Sequence, residues 1–386
     1  MSIRHPHRWV AHQHELEAII DELLAVDRYA IDTEFHRERT YFPSLALVQL
    51  AWGDELVLVD PLAVDVRSLG RLFDSDVEAV FHAAQQDLDV LTHTVGSIPR
   101  CFFDTQLAGG FVGYGTPSLV ALLNGELGVS PAKGDRLTDW LRRPLTDAQR
   151  DYAAADVAYL LEVRDLLIAQ LDELGRRDWV TQASDELRSR PVSGTAPEDA
   201  WTRLKDVRGL RPRPRAVAQA VAAWRERTAM ERNIPVRQVL PDLAVLGIAQ
   251  RQPSNPKELS QARGVDERFS RGKVAAQILD AVEEGKRAEP PPARSGGDEL
   301  ERDLRPAVTL ISAWVSQVAK SEKIDTSMLA TRADLIAFLA GDPEARLRFG
   351  WRRELLGADI DRLLHGAAAL TFDRGAGLRL VDVAAD

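Results

Sequence analysis

Three apolar runs between residues 28 and 60 set the kind of fold open to this chain. YAIDTEF, LALVQLAW and ELVLVD combine β-branched and large apolar side chains over strand lengths, and Gly53-Asp54 between the last two marks a tight turn. VEAVFH and RCFFD read as two shorter strands. Helical periodicity covers residues 14–26, 66–74, 83–95, 105–112, 117–127 and 146–174. Strands interleaved with helices imply helices layered on a mixed sheet, so residues 1 to about 180 are expected to be α/β. The first strand ends unusually. Asp32 and Glu34 lie two residues apart and so point to one face, where two carboxylates repel unless water or a cation compensates them. On this pair alone, a solvated strand end and a bound cation both remain open.

The rest of the chain has a different texture. RSRPVSGTAPEDA reads as a linker. RPRAVAQAVAAWRERTAMERN is a long amphipathic helix entered through Pro214, and in SNPKELSQARG Asn255 is placed as an N-cap before Pro256. AEPPPARSGGDE is a second linker, and the last segment is again helical, ending in LTFDRGAGLRLVDV, a hairpin turning at Gly375–Gly377. The expected division is an α/β domain over 1–185, a linker at 186–200, an all-α domain over 201–288, a linker at 289–299 and a second helical domain over 300–386.

Composition narrows the class. With 45% apolar and 28% charged residues among 386, the chain is that of an ordinary globular protein. Cys101 is the one cysteine, which excludes an internal disulfide framework and a cysteine-rich zinc site. The start lacks the apolar core of a signal peptide, and no run approaches the roughly 18 apolar residues of a membrane helix. A cytoplasmic setting is therefore expected. The net charge of −10 hides an asymmetry: residues 1–180 hold 16 Lys and Arg against 29 Asp and Glu, and residues 201–290 hold 18 against 11. Because fields are screened beyond about 8–10 Å, the basic segment can bind phosphates despite the acidic total.

Other acids join the first pair. Asp87 sits in a helical pattern with Ala83, Ala84, Leu88 and Leu91, and Asp156 lies among Ala153, Ala154, Ala155, Val157 and Ala158. Tyr152 precedes Asp156 by four and shares its helix face. Four carboxylates from three segments suit hard cations such as Mg²⁺ and Mn²⁺, which take oxygen ligands. Two such ions about 3.5–4 Å apart can activate a water against a phosphodiester.

AIDTEFHRERTYFPSLALVQLA, VFHAAQQDLDVL and DWLRRPLTDAQRDYAAADVAYL together resemble the three exonuclease motifs of ribonuclease D, in the tyrosine-bearing branch of the DEDD 3′→5′ exonucleases. The resemblance spans about residues 8–175. It implies a ribonuclease H-like sheet, two divalent ions (Mg²⁺ or Mn²⁺) and release of 5′-mononucleotides from RNA. Asp32, Glu34, Asp87 and Asp156 match the metal-binding acids, and Tyr152 matches the residue that orients the attacking water. Residues 201–288 resemble an HRDC domain, and 300–386 reads as a degenerate second copy. The implied partner is RNA with a free 3′ end, with transfer-RNA precursors the family's usual task. Neither a membrane nor a nucleoside triphosphate is expected: RGVDERFSRGKVAA lacks the phosphate-loop spacing. A monomer is favoured.

Secondary candidates carry two readings each. Phe35, Tyr41 and Phe42 either stack on terminal bases or belong to the core. Lys133, Arg136 and Arg143 either contact phosphate or form a solvated loop. Lys205, Arg208, Arg211, Arg213 and Arg215 either contact the RNA backbone or form a solvated face. His82 is expected to make a structural hydrogen bond, Asp104 to cap the following helix, and Cys101 to fill core. A DNA exonuclease and a non-catalytic RNA-binding protein remain the alternatives.

Overall fold

The computed structural model describes residues 5–130, 138–190, 196–292 and 295–383. The chain forms two compact units, one of Met1–Phe35, Leu45–Arg190 and Leu300–Asp386, the other of His36–Ser44 and Pro191–Glu299.

The first unit is built on a six-stranded sheet: β1 (Arg8–Val10), β2 (Arg28–His36), β3 (Ser44–Trp52), β4 (Glu55–Val59), β5 (Glu78–Phe81) and β6 (Phe102–Asp104), in the order β1-β4-β3-β2-β5-β6. β3 and β4 pair antiparallel around Gly53, whose φ of 52° the turn requires, whereas β1 pairs parallel with β4, β5 with β2, and β6 with β5. The sheet is therefore mixed, as its connections dictated. β1 is only three residues long, too short for a periodic signal, and escapes a sequence reading.

The helices of this region are α1 (Gln13–Leu23), α2 (Gly70–Phe73), α3 (Gln85–Thr94), α4 (Thr105–Phe111), α5 (Leu119–Leu127), α6 (Asp147–Val157), α7 (Leu160–Glu173) and α8 (Arg177–Arg188). The single helix expected over 146–174 is broken: Tyr159 leaves the helical region at φ −117°, and α7 starts afresh. α8 has a strong apolar stripe of Val180, Ala183 and Leu187 that the linker signals beyond it obscured. One core lies on each face of the sheet. Tyr29, Ile31, Val48 and Leu50 pack with α1 and α3 on one side; Ala30, Leu47 and Leu58 pack with Ala153, Ala154 and Val157 of α6 on the other.

In the second unit, α9 (Pro212–Arg232), α10 (Val236–Val239), α11 (Asp242–Arg251), α12 (Pro256–Leu259) and α13 (Gly272–Arg287) enclose Val217, Val221, Leu240, Val245, Ile248 and Ile278. Pro212, rather than Pro214, opens α9. The C-terminal segment contains α14 (Ser295–Glu322), α15 (Thr326–Leu329) and α16 (Arg332–Leu339), then the hairpin β7 (Ala368–Asp373) and β8 (Gly377–Asp382). α14 begins inside the stretch expected as a linker and carries Pro306 within it.

α14–α16 repeat the local geometry of α9–α11. Each long helix ends before a left-handed non-glycine residue, Asn233 (φ 48°) or Lys323 (φ 56°). A four-residue helix follows in each, then an extended residue, Leu240 (φ −161°) or Ala330 (φ −159°). The packing differs. Val308, Ile311, Val315 and Leu329 join the α6 core, and Trp351 stacks on Trp179 at 5.2 Å and meets Phe111 edge-on at 5.0 Å. Gly110 of α4 permits this approach: a Cβ there would fall 2.3 Å from Met328 Sδ and 2.7 Å from the Gly115 carbonyl.

Candidate active site

β2 delivers the acidic pair. Ala30 faces the α6 core and Ile31 the opposite one, so strand alternation turns Asp32 and Glu34 toward α6. α6 is fixed at its start by a capping box: the Thr146 hydroxyl accepts the Gln149 N–H, and Gln149 Oε1 accepts the Thr146 N–H at 2.8 Å. Fully buried Ala153 and Ala154 let this helix lie close to the sheet. On its partly exposed side, the Tyr152 hydroxyl donates to the Asp156 carboxylate, and the Tyr152 ring stacks on buried Trp140 at 6.1 Å.

Asp87 arrives from the other flank, in the first turn of α3. It is buried, and the Thr33 hydroxyl donates to its Oδ1. Thr33 is the residue between the two strand acids. Sequence reasoning passed over it, although a hydroxyl set between two acids at a strand end was a signal that could have been weighed.

The four carboxylates share one electrostatic environment. Burial raises Asp32 to about 7, its own backbone hydrogen bond at Thr33 working the other way. Glu34 is pushed up to about 9, first by burial and then by Asp32, Asp156 and Asp87. Asp156 rises to about 8 through burial and the charge of Asp32, partly offset by the Tyr152 hydrogen bond. Asp87 lies well above the usual carboxylate range, through burial and then Asp32. Burial, then Asp156, Glu34 and Asp32, also raise the Tyr152 phenol. Each acid thus acts on its neighbours, and none of the groups acting on them among the described residues is a cation. An all-oxygen, anionic, part-buried donor set is what hard dications take. Among the described residues no group of three or more His, Cys, Asp or Glu side chains is placed so that it could hold a metal ion. Like charges hold one another apart, and ions that keep several waters need only one or two carboxylates each.

The remaining candidates divide. His82 Nδ1 lies 2.9 Å from Thr105 Oγ1, itself 2.9 Å from the Phe81 carbonyl, so the imidazole makes the structural bond expected of it. Asp104 caps α4 by accepting the Gln106 and Leu107 N–H groups. Phe35 packs against the core opposite α6. Tyr41 and Phe42 belong to the helical unit: the Tyr41 hydroxyl donates to Glu226 at 2.7 Å, and both backbone N–H groups donate to Asn233 Oδ1. Of the two readings open to Tyr41 and Phe42, base stacking or core, these bonds show both residues engaged within their own unit.

Arg143 corrects its phosphate reading. Its Nε and Nη2 clamp Asp60 at 2.8 and 2.6 Å, Nη2 reaches the Ala46 carbonyl and Nη1 the Trp140 carbonyl, so the guanidinium ties the loop to the sheet. Arg213 and Arg215 are likewise spent on backbone carbonyls, of Lys286 and Pro291. Lys205 and Arg211 are exposed. Lys133 and Arg136 lie outside the described residues, as does the side chain of Arg208. Cys101 is part-buried. No described helix is long and apolar enough to cross a membrane.

Comparison with known proteins places these observations. The 3′-5′ exonuclease family profile matches residues 7–172, and the HRDC domain profile matches residues 215–282. Ribonuclease D of Nitrobacter hamburgensis is 38% identical over 383 residues, covering 95% of this chain and 97% of that protein. Ribonuclease D of Gluconacetobacter diazotrophicus is 37% identical over 370 residues, covering 93% of each. The crystal structure of Escherichia coli RNase D, described as an exoribonuclease involved in structured RNA processing, superposes with a TM-score of 0.84 at 29% identity, over 94% of this chain and 99% of that one.

Proposed function

Since the chain belongs to the ribonuclease D family, whose members are 3′–5′ exoribonucleases, we propose that it hydrolyses RNA from a free 3′ end with two divalent ions held by Asp32, Glu34, Asp87 and Asp156. The observation that carries this is the set of four carboxylates brought from β2, α3 and α6 to one place, where burial and one another raise them and no cation among the described residues is one of the groups acting on them. The exonuclease family to which the chain belongs uses divalent metals. Held by these acids, Mg²⁺ or Mn²⁺ would supply Lewis acidity, lowering the pKa of a bound water and offsetting charge on the leaving 3′ oxygen.

The chain's own residues do the rest. Asp32 would contribute to both ions, a role supported by its charge acting on Glu34, Asp156 and Asp87. Asp156 and Glu34 complete one position and Asp87 the other. Thr33 fixes the Asp87 carboxylate. Tyr152 orients the attacking water by hydrogen bonding. Its raised pKa keeps the phenol protonated at neutral pH, so it orients the water by hydrogen bonding and does not act as a base. Trp140 holds the Tyr152 ring in place. The products are 5′-mononucleotides.

We read the HRDC region as a backbone-contacting module, with Lys205 and Arg211 its exposed cations, and residues 300–386 as a degenerate second copy. Transfer-RNA precursors are the proposed substrates, in a cytoplasmic setting that suits a chain with one cysteine. The E. coli relative's role in structured RNA processing is in keeping with this. Incubating a 3′-extended RNA with the protein, with and without Mg²⁺, tests the reading: ion-dependent 5′-mononucleotides are expected, and ion-independent cleavage or internal fragments would overturn it. Matched DNA and RNA oligonucleotides run side by side decide the sugar preference.

A further inference from the structure

We propose that Asp104 is a positioning residue for this reaction: by gripping the backbone of the turn between β5 and α3, it sets where the Asp87 carboxylate stands. The inference rests on the assignment of Asp87 to the ion-holding set.

β5 ends at Phe81 and α3 begins at Gln85, so three residues must reverse the chain. They do so through Ala83 at φ 61°, a left-handed conformation that a residue with a Cβ rarely adopts. Asn233 and Gln252, which also have positive φ, are C-caps, where such a conformation is usual. Ala83 instead precedes a helix, four residues before a candidate catalytic carboxylate.

The surroundings hold that conformation in place. Asp104 ends β6, paired in register with Phe81 of β5, and is 2% exposed. Its Oδ1 accepts the Ala83 N–H at 3.0 Å and its Oδ2 the Ala84 N–H at 2.9 Å, while Oδ1 also accepts Gln106 N–H at 2.8 Å and Leu107 N–H at 3.3 Å. One carboxylate therefore serves two helix starts. The adjacent Thr105 adds a second grip, its hydroxyl lying 2.9 Å from both His82 Nδ1 and the Phe81 carbonyl. Asp87 lies in the turn of helix thus fixed, and Thr33 meets it from the strand side. Only an acceptor on both oxygens can take the two turn amides and the α4 amides together. Asparagine, nearly the same size, presents one acceptor and turns an NH₂ toward a donor.

The full-length wild type is compared with Asp104→Asn, with Ala83→Gly and with the double variant, since glycine relieves the left-handed turn and lets the double variant fold. Two readouts are taken: Mn²⁺ bound, by electron paramagnetic resonance, and kcat and KM on a short RNA oligonucleotide. Loss of an orienting partner costs about 10- to 100-fold in ion affinity or rate. The expected result for Asp104→Asn is therefore at least about a 10-fold loss in both Mn²⁺ affinity and kcat, with KM within about twofold of wild type. The double variant should show the same loss relative to Ala83→Gly. If the asparagine lowers only the melting temperature and leaves affinity and kcat within twofold, Asp104 is a helix cap and nothing more. Should wild type take up no Mn²⁺, the ion assignment falls by itself, and the kcat comparison alone decides on Asp104.

Discussion

Two groups of part-buried acids in the first unit meet opposite fates. At the candidate active site, Asp32, Glu34 and Asp156 are raised to about 7, 9 and 8 by burial and by one another. Where α14–α16 pack on α8, Glu186 accepts from Arg346 at 2.9 Å and from Arg352, and Asp334 accepts from Arg346 at 3.2 Å. Burial alone would raise Asp334 as well. The Thr331 hydroxyl and amide, followed by Arg346 and Arg352, bring it below the ordinary value instead. The residue types are the same, and what differs is whether the fold supplies the counter-charge. Where it does, acids are cement. Where the described residues supply none, the acids act on one another, and that is the ground on which dications are proposed there.

The comparison breaks most visibly on substitution. Asp156→Asn or Asp32→Asn should lower hydrolysis by about 10³-fold or more while leaving RNA binding largely intact, measured by product release and by a binding titration. Near-normal activity would remove the distinction between the two groups. In chelator the same variants should melt higher than wild type, because a repelling charge is gone. Glu186→Ala should do the reverse. It removes the carboxylate partner of Arg352, whose side chain is only 4% exposed and keeps the Met328 carbonyl, and costs about 2 kcal/mol of stability in thermal unfolding. Both changes moving the melting point in one direction would contradict the contrast.

Tyr152→Phe removes the water-orienting hydroxyl but no ligand, so kcat should fall by about 10²-fold with ion uptake unchanged. A matching loss of ion uptake would make Tyr152 a structural residue.

The pH dependence of metal-free stability sharpens the same point. Acids whose folded pKa lies above the unfolded value hold more protons in the folded state, so stability falls as pH rises. From the values near 7, 8 and 9, the loss runs from about pH 4 to about pH 9. Asp334, which is lowered, contributes in the opposite sense and at acid pH only. Thermal melts in chelator across that range should slope downward, and Asp156→Asn should flatten them. The smallest effect concerns the exposed cations of the second unit: Lys205→Glu with Arg211→Glu should weaken RNA binding and reduce its salt slope by about one per lost phosphate contact.

Much of this was legible in the sequence, for identifiable reasons. β2, β3 and β4 are long and apolar enough to declare themselves, and the run from Asp139 to Asp156 carries its own capping box in Thr146 and Gln149. Arg143 and Tyr41 each kept two readings because their partners, Asp60 and Glu226, are remote along the chain. A side chain's type shows what it can bond, and only the fold shows what has already claimed it. The C-terminal segment was legible as helices but not as part of the α6 core, because Trp351 meets Phe111 and Trp179 only after folding. Removing residues 201–386 would therefore uncover that core, so the second unit is better probed by point substitution.

The central claim is that four carboxylates are held in mutual repulsion until dications arrive. Titration calorimetry of Mg²⁺ into the chain near pH 7.5, repeated in buffers of different ionisation enthalpy, measures both ion uptake and the protons displaced by it. The account predicts uptake with net proton release, both lost in Asp32→Asn. Uptake without proton release, or none at all, would contradict it.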